Sequence, residues 1–241
     1  LQMPNGKKAP HGVVLKIVAS NICGSDLHIY RGSFPAPEGM VMGHEMTGEV
    51  VEIGSDVEFL KEGDLVSVPF NVACGRCRNC RNGRTEVCQT CNPDADSAAY
   101  GFNLGGWDGG QAEYLRVPQA QYTHIKVPDG PADERFLYLS DILPTAWQGV
   151  KYANVPDGGT LAVMGLGPVG QLAVRSALKL GEASRVIGVD LVPERLELAR
   201  IAFLDEMVET VVEALSGAAV LGACLLLIAP GSHLVVGPAL L

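Results

Sequence analysis

The chain has 241 residues, 47% hydrophobic and 6% aromatic, with 29 glycines and a formal net charge of -9. That is apolar material enough for a sizeable core in one large or two small domains, and the glycine-rich, aromatic-poor balance favours an α/β protein with many tight turns. The acidic balance argues against a nucleic-acid partner, because a phosphate backbone calls for a basic face.

The chain starts at Leu1 without an Arg- or Lys-led apolar leader, so a soluble, cytoplasmic protein is expected. The most apolar region, residues 218–229, is too short to span a bilayer and ends at Pro230. Residues 11–19 form a β-branched run bounded by Gly12, which reads as a strand. It leads into Asn21-Ile22-Cys23-Gly24-Ser25-Asp26-Leu27-His28, with Gly43-His44-Glu45 a short gap later. A thiolate, an imidazole and carboxylates are donors that zinc accepts, and a catalytic zinc keeps one position open. The competing reading is a buried cysteine and a surface histidine that never meet.

Residues 45–53 and 64–69 read as further short strands punctuated by Gly48, Gly54 and Gly63, with weak alternation over Leu65-Val66-Ser67-Val68. Cys74, Cys77, Cys80 and Cys88 follow, spaced by two, two and seven residues. Short loops of this kind turn successive thiolates onto one tetrahedral ion, leaving no open position, so the site would be structural. A disulfide framework fits poorly with a chain lacking secretory features. Cys91 and Cys224 read as ordinary small residues. The glycine-rich residues 92–110 form a loop that either covers a cleft or is a plain surface excursion. Residues 111–117 read as a returning strand, and Val127-Pro128-Asp129-Gly130-Pro131 is a break. Ser140 and Asp141 have the chemistry of helix caps; Asp141 is alternatively a third metal ligand.

From Thr160 the pattern changes. A buried strand at 161–164, the loop Gly165-Leu166-Gly167-Pro168-Val169-Gly170, a helix over 171–180 and a second buried strand at 185–189 ending in Asp190 make the dinucleotide-binding fingerprint. The glycines admit a pyrophosphate to the helix N-terminus. Asp190 would accept hydrogen bonds from the adenosine ribose and repel a 2′-phosphate, favouring NAD over NADP.

Taken together these residues resemble the zinc-dependent medium-chain alcohol dehydrogenases, and within them the glutathione-independent formaldehyde dehydrogenases. Cys-Gly-Ser-Asp at 23–26, Gly-His-Glu at 43–45, the cysteines at 74–88, Ser-Asp-Ile-Leu-Pro-Thr at 140–145 and the loop at 165–170 stand in the family's order. Aspartate as third ligand and the long 92–110 insertion mark the formaldehyde branch. The resemblance implies a GroES-like, mostly β catalytic domain over 1–145 with a structural zinc lobe, and a Rossmann NAD-binding domain over 146–241. It makes Cys23, His44 and Asp141 the ligands of a catalytic zinc, with Glu45 nearby or exchanging as a ligand, and gives the four-cysteine lobe the second zinc. Ser25 would take the substrate proton and pass it through the cofactor ribose to His28; if not, Ser25 only caps a helix starting near Asp26. Thr145, Gly165, Gly167, Pro168, Val169, Gly170, Asp190 and Arg195 would meet NAD, and the protein would assemble as a dimer or tetramer.

The resemblance fades after Arg200, where 201–215 reads as an amphipathic helix and 217–241 as apolar strands. With the start at Leu1, this suggests a truncated or discontinuous version of a longer chain. Three functions follow: oxidation of formaldehyde hydrate to formate, the same reaction on a longer alcohol or polyol with Trp107 and Trp147 as candidate pocket residues, or a zinc-stabilised module without catalysis.

Overall fold

Val13 and Leu15, two apart in a β-branched run, point to one face and are buried in β1 (Val13–Ser20). β1 pairs antiparallel with β2 (Met46–Ile53) on one side and β4 (Tyr114–Val117) on the other. β3 (Leu65–Val68) and the short β5 (Ile125–Lys126) complete a sheet ordered β4-β1-β2-β3-β5. The computed structural model describes residues 8–93, 97–102, 104–130, 134–180, 185–204 and 232–236. The chain divides into two units, Leu1–Asp141 and Ile142–Leu241.

The first unit's core gathers Val13, Leu15, Met46, Val50, Val66, Val68, Leu115 and Val117, closed by Tyr100 from the glycine-rich segment. Each such side chain contributes about 1.5–3 kcal/mol of burial. The expected alternation in β3 is absent: Ser67 is as buried as Val66 and Val68, so both faces of that strand are covered.

Two features of this unit carry distant residues toward one another. The β1–β2 register runs to Ser20↔Met46, and one residue further Asn21 N–H still donates to the Glu45 carbonyl at 3.1 Å. The chain then enters α1 (Gly24–Tyr30), where the extended residue at the cap is Cys23, not Ser25; Ser25 lies inside the first turn. Asp26 reaches back to accept the Cys23 N–H at 2.8 Å, one half of a capping box. Past β3, Phe70 N–H donates to the Ser140 carbonyl at 3.1 Å, tying down the end of a 3₁₀ helix (Glu134–Ser140).

After the one-turn α2 (Arg78–Arg81) of the first unit, the second unit runs α3 (Ile142–Ala153), β6 (Thr160–Met164), α4 (Pro168–Leu180), β7 (Arg185–Val189), α5 (Pro193–Leu204) and β8 (Ser232–Val236). The strands are parallel in the order β7-β6-β8, over a core of Leu161, Val163, Val174, Ala177, Val186 and Leu196. Residues 201–204 of the expected 201–215 helix are the last turn of α5, which begins at Pro193. The expected strands over 217–241 meet β8 at 232–236. The remainder of both segments, with Cys224, lies outside the described residues. Among those described, no helix is long and apolar enough to cross a membrane.

The glycine loop shows what its spacing is for. Gly165 has φ +85°, and a Cβ on Gly170 would lie 1.9 Å from the Gly165 carbonyl oxygen, whereas one on Gly167 would meet nothing. Gly170→Ala should therefore destabilise the second unit by about 1–3 kcal/mol through overpacking, while Gly167→Ala should not. Urea unfolding followed by circular dichroism checks this; equal midpoints for the two variants would contradict it.

Candidate active site

Cys23, His44, Glu45 and Asp141 come together in the first unit, their donor atoms all within 4.8 Å of one another. Strand pairing delivers Cys23 beside His44 and Glu45, and the Phe70–Ser140 hydrogen bond delivers Asp141. The imidazole is wholly buried, with Nδ1 3.2 Å from Asp26 Oδ1 and Nε2 3.3 Å from Asp141 Oδ2. These are electrostatic contacts at poor angles: both ring nitrogens and Asp26 Oδ1 are buried without an aligned hydrogen-bond partner. Phe102 and Phe70 pack on the ring, with centroids 4.3 and 6.4 Å away.

A buried imidazole facing a thiol and carboxylates with its nitrogens unsatisfied has the chemistry of a metal ligand set: soft S, borderline N and hard O donors suit zinc. Without a metal, a proton takes the ion's place. Burial opposes charge on His44, yet Asp141 first, then Asp26 and Cys23, outweigh it and raise its pKa to about 11. Asp26, 2% exposed, escaped the sequence reading as a functional residue; its carboxylate stands 3.2 Å from His44 Nδ1, the position from which carboxylates behind metal-bound histidines act. Its place three residues after Cys23, where a capping carboxylate belongs, was the available signal.

The other expected residues fall as follows. Ser25 Oγ lies 3.8 Å from Cys23 Sγ, and His28 stacks edge-on against Phe34 at 6.0 Å; among the described residues no direct hydrogen bond joins Ser25 to His28. Trp107 donates from Nε1 to Asn92 Oδ1 at 3.1 Å, carries Arg116 over its ring and borders a cleft of about 240 Å³ with residues 37–40. Trp147 is an exposed residue of α3 in the second unit.

Cys74, Cys77, Cys80 and Cys88 form a second group, also within 4.8 Å, with Cys77 and Cys88 sulfurs 4.0 Å apart. Tetrahedral zinc with thiolates at about 2.3 Å spaces sulfurs at roughly 3.8 Å, so the set fits. Backbone N–H groups of Cys77 and Cys91 donate to Cys74 and Cys88 sulfurs at 3.3 and 3.4 Å, which favours thiolates. The Cys80 N–H is the main cause that draws Cys77 down to about 6, while burial pushes Cys80 up to about 12. Gly75, at φ +71°, leaves no room for a Cβ beneath the Tyr122 ring. Cys91 lies against this lobe and the sheet core but outside the four-sulfur group.

In the second unit the loop Gly165 to Gly170 joins β6 to α4, with Pro168 exposed at the first helical position and Val169 partly buried. Asp190 is turned toward its own chain: Oδ2 accepts from Leu166 N–H at 2.6 Å and Oδ1 from Val192 N–H at 2.8 Å. Burial opposes its charge, but these bonds and Arg195, 3.6 Å away, hold the carboxyl below its ordinary range. Thr145 is exposed on α3.

Cys88→Ser should remove one of two bound metals and lower the melting temperature, with elemental analysis and calorimetry as the measurements. The His44 shift carries a sign. In the metal-free chain the protonated ring stabilises the fold fully below pH 6.5, and that contribution is lost as pH rises toward about 11. Metal needs the neutral ring, so zinc affinity at this group should strengthen with pH across that window, with proton release seen by calorimetry in different buffers. His44→Asn should remove that component of the release.

The alcohol dehydrogenase GroES-like domain matches residues 9–129. Formaldehyde dismutase of Pseudomonas putida is 54% identical over 200 residues, covering 80% of this chain and 50% of that protein. Glutathione-independent formaldehyde dehydrogenase of Bacillus subtilis (strain 168) is 51% identical over 199 residues, covering 80% and 48%. The chain thus spans about half the length of the curated relatives it matches. Among solved structures, alcohol dehydrogenase TADH from Thermus sp. ATN1 superposes with a TM-score of 0.77 at 32% identity, covering 95% of this chain and 72% of that one. Acetophenone reductase from Geotrichum candidum, in complex with NAD, gives 0.72 at 34% identity, covering 89% and 59%. The chain belongs to the zinc-dependent medium-chain alcohol dehydrogenases, in the company of their glutathione-independent formaldehyde dehydrogenases.

Proposed function

We propose that this chain carries the metal-binding and dinucleotide-binding parts of a dehydrogenase that transfers hydride from a small alcohol or aldehyde hydrate to NAD, with formaldehyde hydrate the favoured substrate. The observation that carries the reading is the convergence of Cys23, His44, Glu45 and Asp141, contributed by three separate stretches of chain. Cys23, His44 and Asp141 would hold a catalytic zinc, with Glu45 beside them, and Cys74, Cys77, Cys80 and Cys88 a structural one. The catalytic ion, when bound, supplies the Lewis acidity that makes a hydroxyl acidic near neutral pH.

The chain's own groups do the rest. One thiolate and one carboxylate balance the charge of a divalent ion, and the orphaned ring of His44 supplies the neutral donor. Ser25, at the rim of the donor set, takes the substrate proton; His28, three residues on and on the same side of α1, hands it to solvent. In the second unit the open space at Gly167 leaves room for a pyrophosphate, Thr145, Pro168, Val169 and Arg195 serve as further NAD contacts, and the Asp190 charge disfavours a 2′-phosphate. A soluble cytoplasmic homo-oligomer acting on a small molecule fits this reading.

Two relatives named for formaldehyde support the substrate, and one of them is named a dismutase, which favours a second reading. In dismutation, one formaldehyde is oxidised to formate while another is reduced to methanol on the same nicotinamide. Initial rates with formaldehyde, without glutathione, should exceed those with ethanol and sorbitol, and NADH should accumulate. Equal rates on all three would retire the substrate assignment; methanol rising in step with formate, without NADH, would select dismutation.

A further inference from the structure

Glu45 is 1% exposed and offers a carboxylate oxygen to the group formed with Cys23, His44 and Asp141. A buried carboxylate on a rotatable side chain faces an ion reliably only if something fixes its rotation. Asn21 does so. Its Nδ2 donates to Glu45 Oε2 at 3.0 Å, and its backbone N–H donates to the Glu45 carbonyl at 3.1 Å, so one residue grips both ends of the glutamate. Ser20 Oγ donates to the same carbonyl at 3.1 Å. Asn21 is itself held: its carbonyl accepts from Gln111 Nε2 at 3.2 Å, and that nitrogen also lies 3.4 Å from Asp26 Oδ2. The two carboxylates nearest His44 that sequence reading did not make firm ligands are thus each oriented by a neutral amide. An amide suits the task, since it donates without adding a fourth negative side chain to a buried cluster already holding Asp26, Glu45 and Asp141.

We propose that Asn21 is a positioning residue that ties one oxygen of Glu45 and leaves the other for the metal, making Glu45 the fourth protein ligand of the resting site and setting how readily it yields that position to substrate. This rests on the catalytic-zinc reading above. Outer groups that orient metal ligands typically govern metal affinity ten- to a hundredfold, and a fourth protein ligand closes a tetrahedral site that otherwise stays open.

The test uses the whole chain loaded with cobalt(II), whose visible absorption reports coordination number. Asn21→Ala removes the donor and Asn21→Asp replaces it with a repelling group of the same shape. Both should alter the absorption of the cobalt bound by His44 and speed its loss to a chelator by roughly tenfold or more, with the four-cysteine metal unmoved. In a Glu45→Ala background, Asn21→Ala should add nothing, because its effect passes through Glu45. Unchanged spectra and release rates in Asn21→Ala, or an effect that persists without Glu45, would overturn the proposal. Should Asn21→Asp not fold, Asn21→Ala carries the test. An unaltered chain that takes metal only at the cysteines would sink the catalytic-zinc reading and this inference with it, whereas normal loading with an inert Asn21 sinks the inference alone.

Discussion

An imidazole sealed from water between two carboxylates is the constraint on which the first unit turns. His44 is fully buried, with Asp26 on one nitrogen, Asp141 on the other, and Cys23 and Glu45 close by. Four acidic groups gathered around one base cannot all keep their charge in a water-poor interior unless cations answer them. A proton on His44 answers one; a divalent ion answers two and would take one of the ring nitrogens that the protein leaves without aligned partners, the other keeping its hydrogen toward a carboxylate. The backbone N–H of Cys23 and the amides of Asn21 and Gln111 donate to the remaining oxygens. The fold's task is to hold this unfavourable assembly together before an ion arrives.

It does so with ordinary sheet pairing. The β1–β2 register that buries Val13 and Leu15 also brings Ser20 opposite Met46, so the residues just beyond each strand meet. Those residues are Asn21 to Cys23 on one side and His44 to Glu45 on the other. Asp141 comes by a different route, through the hydrogen bond from Phe70 at the end of β3 to Ser140. The core and the site are consequences of one register, and a slip of one residue would exchange buried for exposed side chains and separate Cys23 from His44 and Glu45 at the same time.

This explains what the sequence could reveal. Four cysteines at short spacing, and a glycine loop between an apolar strand and a helix, are local: spacing alone dictates their geometry. The convergence of Asp141 on Cys23 and His44 needed likeness to a family to be expected, because a side chain 97 or more residues distant leaves no period or spacing to read. Asn21 and Gln111 were invisible for the same reason; each acts through a single hydrogen bond or two across 24 to 90 residues. Asp190 was legible as an acid at a strand end, yet not in its orientation. The N–H groups of Leu166 and Val192 claim its two oxygens, so the carboxylate that faces the ribose in the expected complex also pins the crest of the glycine loop. A carboxylate offers about four acceptor positions, so the two roles are compatible.

The glycine-rich segment after Asn92 shows how much of a loop's packing composition leaves open. Either a cover for a cleft or a surface excursion by sequence, it borders a cleft at Trp107, is exposed at 104–106, and in its other described parts is packed beside His44. The N–H groups of Gly109, Gly110 and Gln111 donate to the carbonyls of Val41, Gly43 and Met42 at 2.7, 2.8 and 2.9 Å. A Cβ on Gly109 would lie 2.2 Å from the Met42 oxygen, and one on Gly101 2.7 Å from that of Gly43. Backbone rests directly on backbone, a closeness only glycine permits. The same segment contributes Phe102 to the face of His44 and leads into Gln111, the amide that reaches Asp26. Its glycines therefore serve rigidity, not freedom: they let one strand of chain lie flush against residues 41–43, which fixes the backbone that leads into the buried His44.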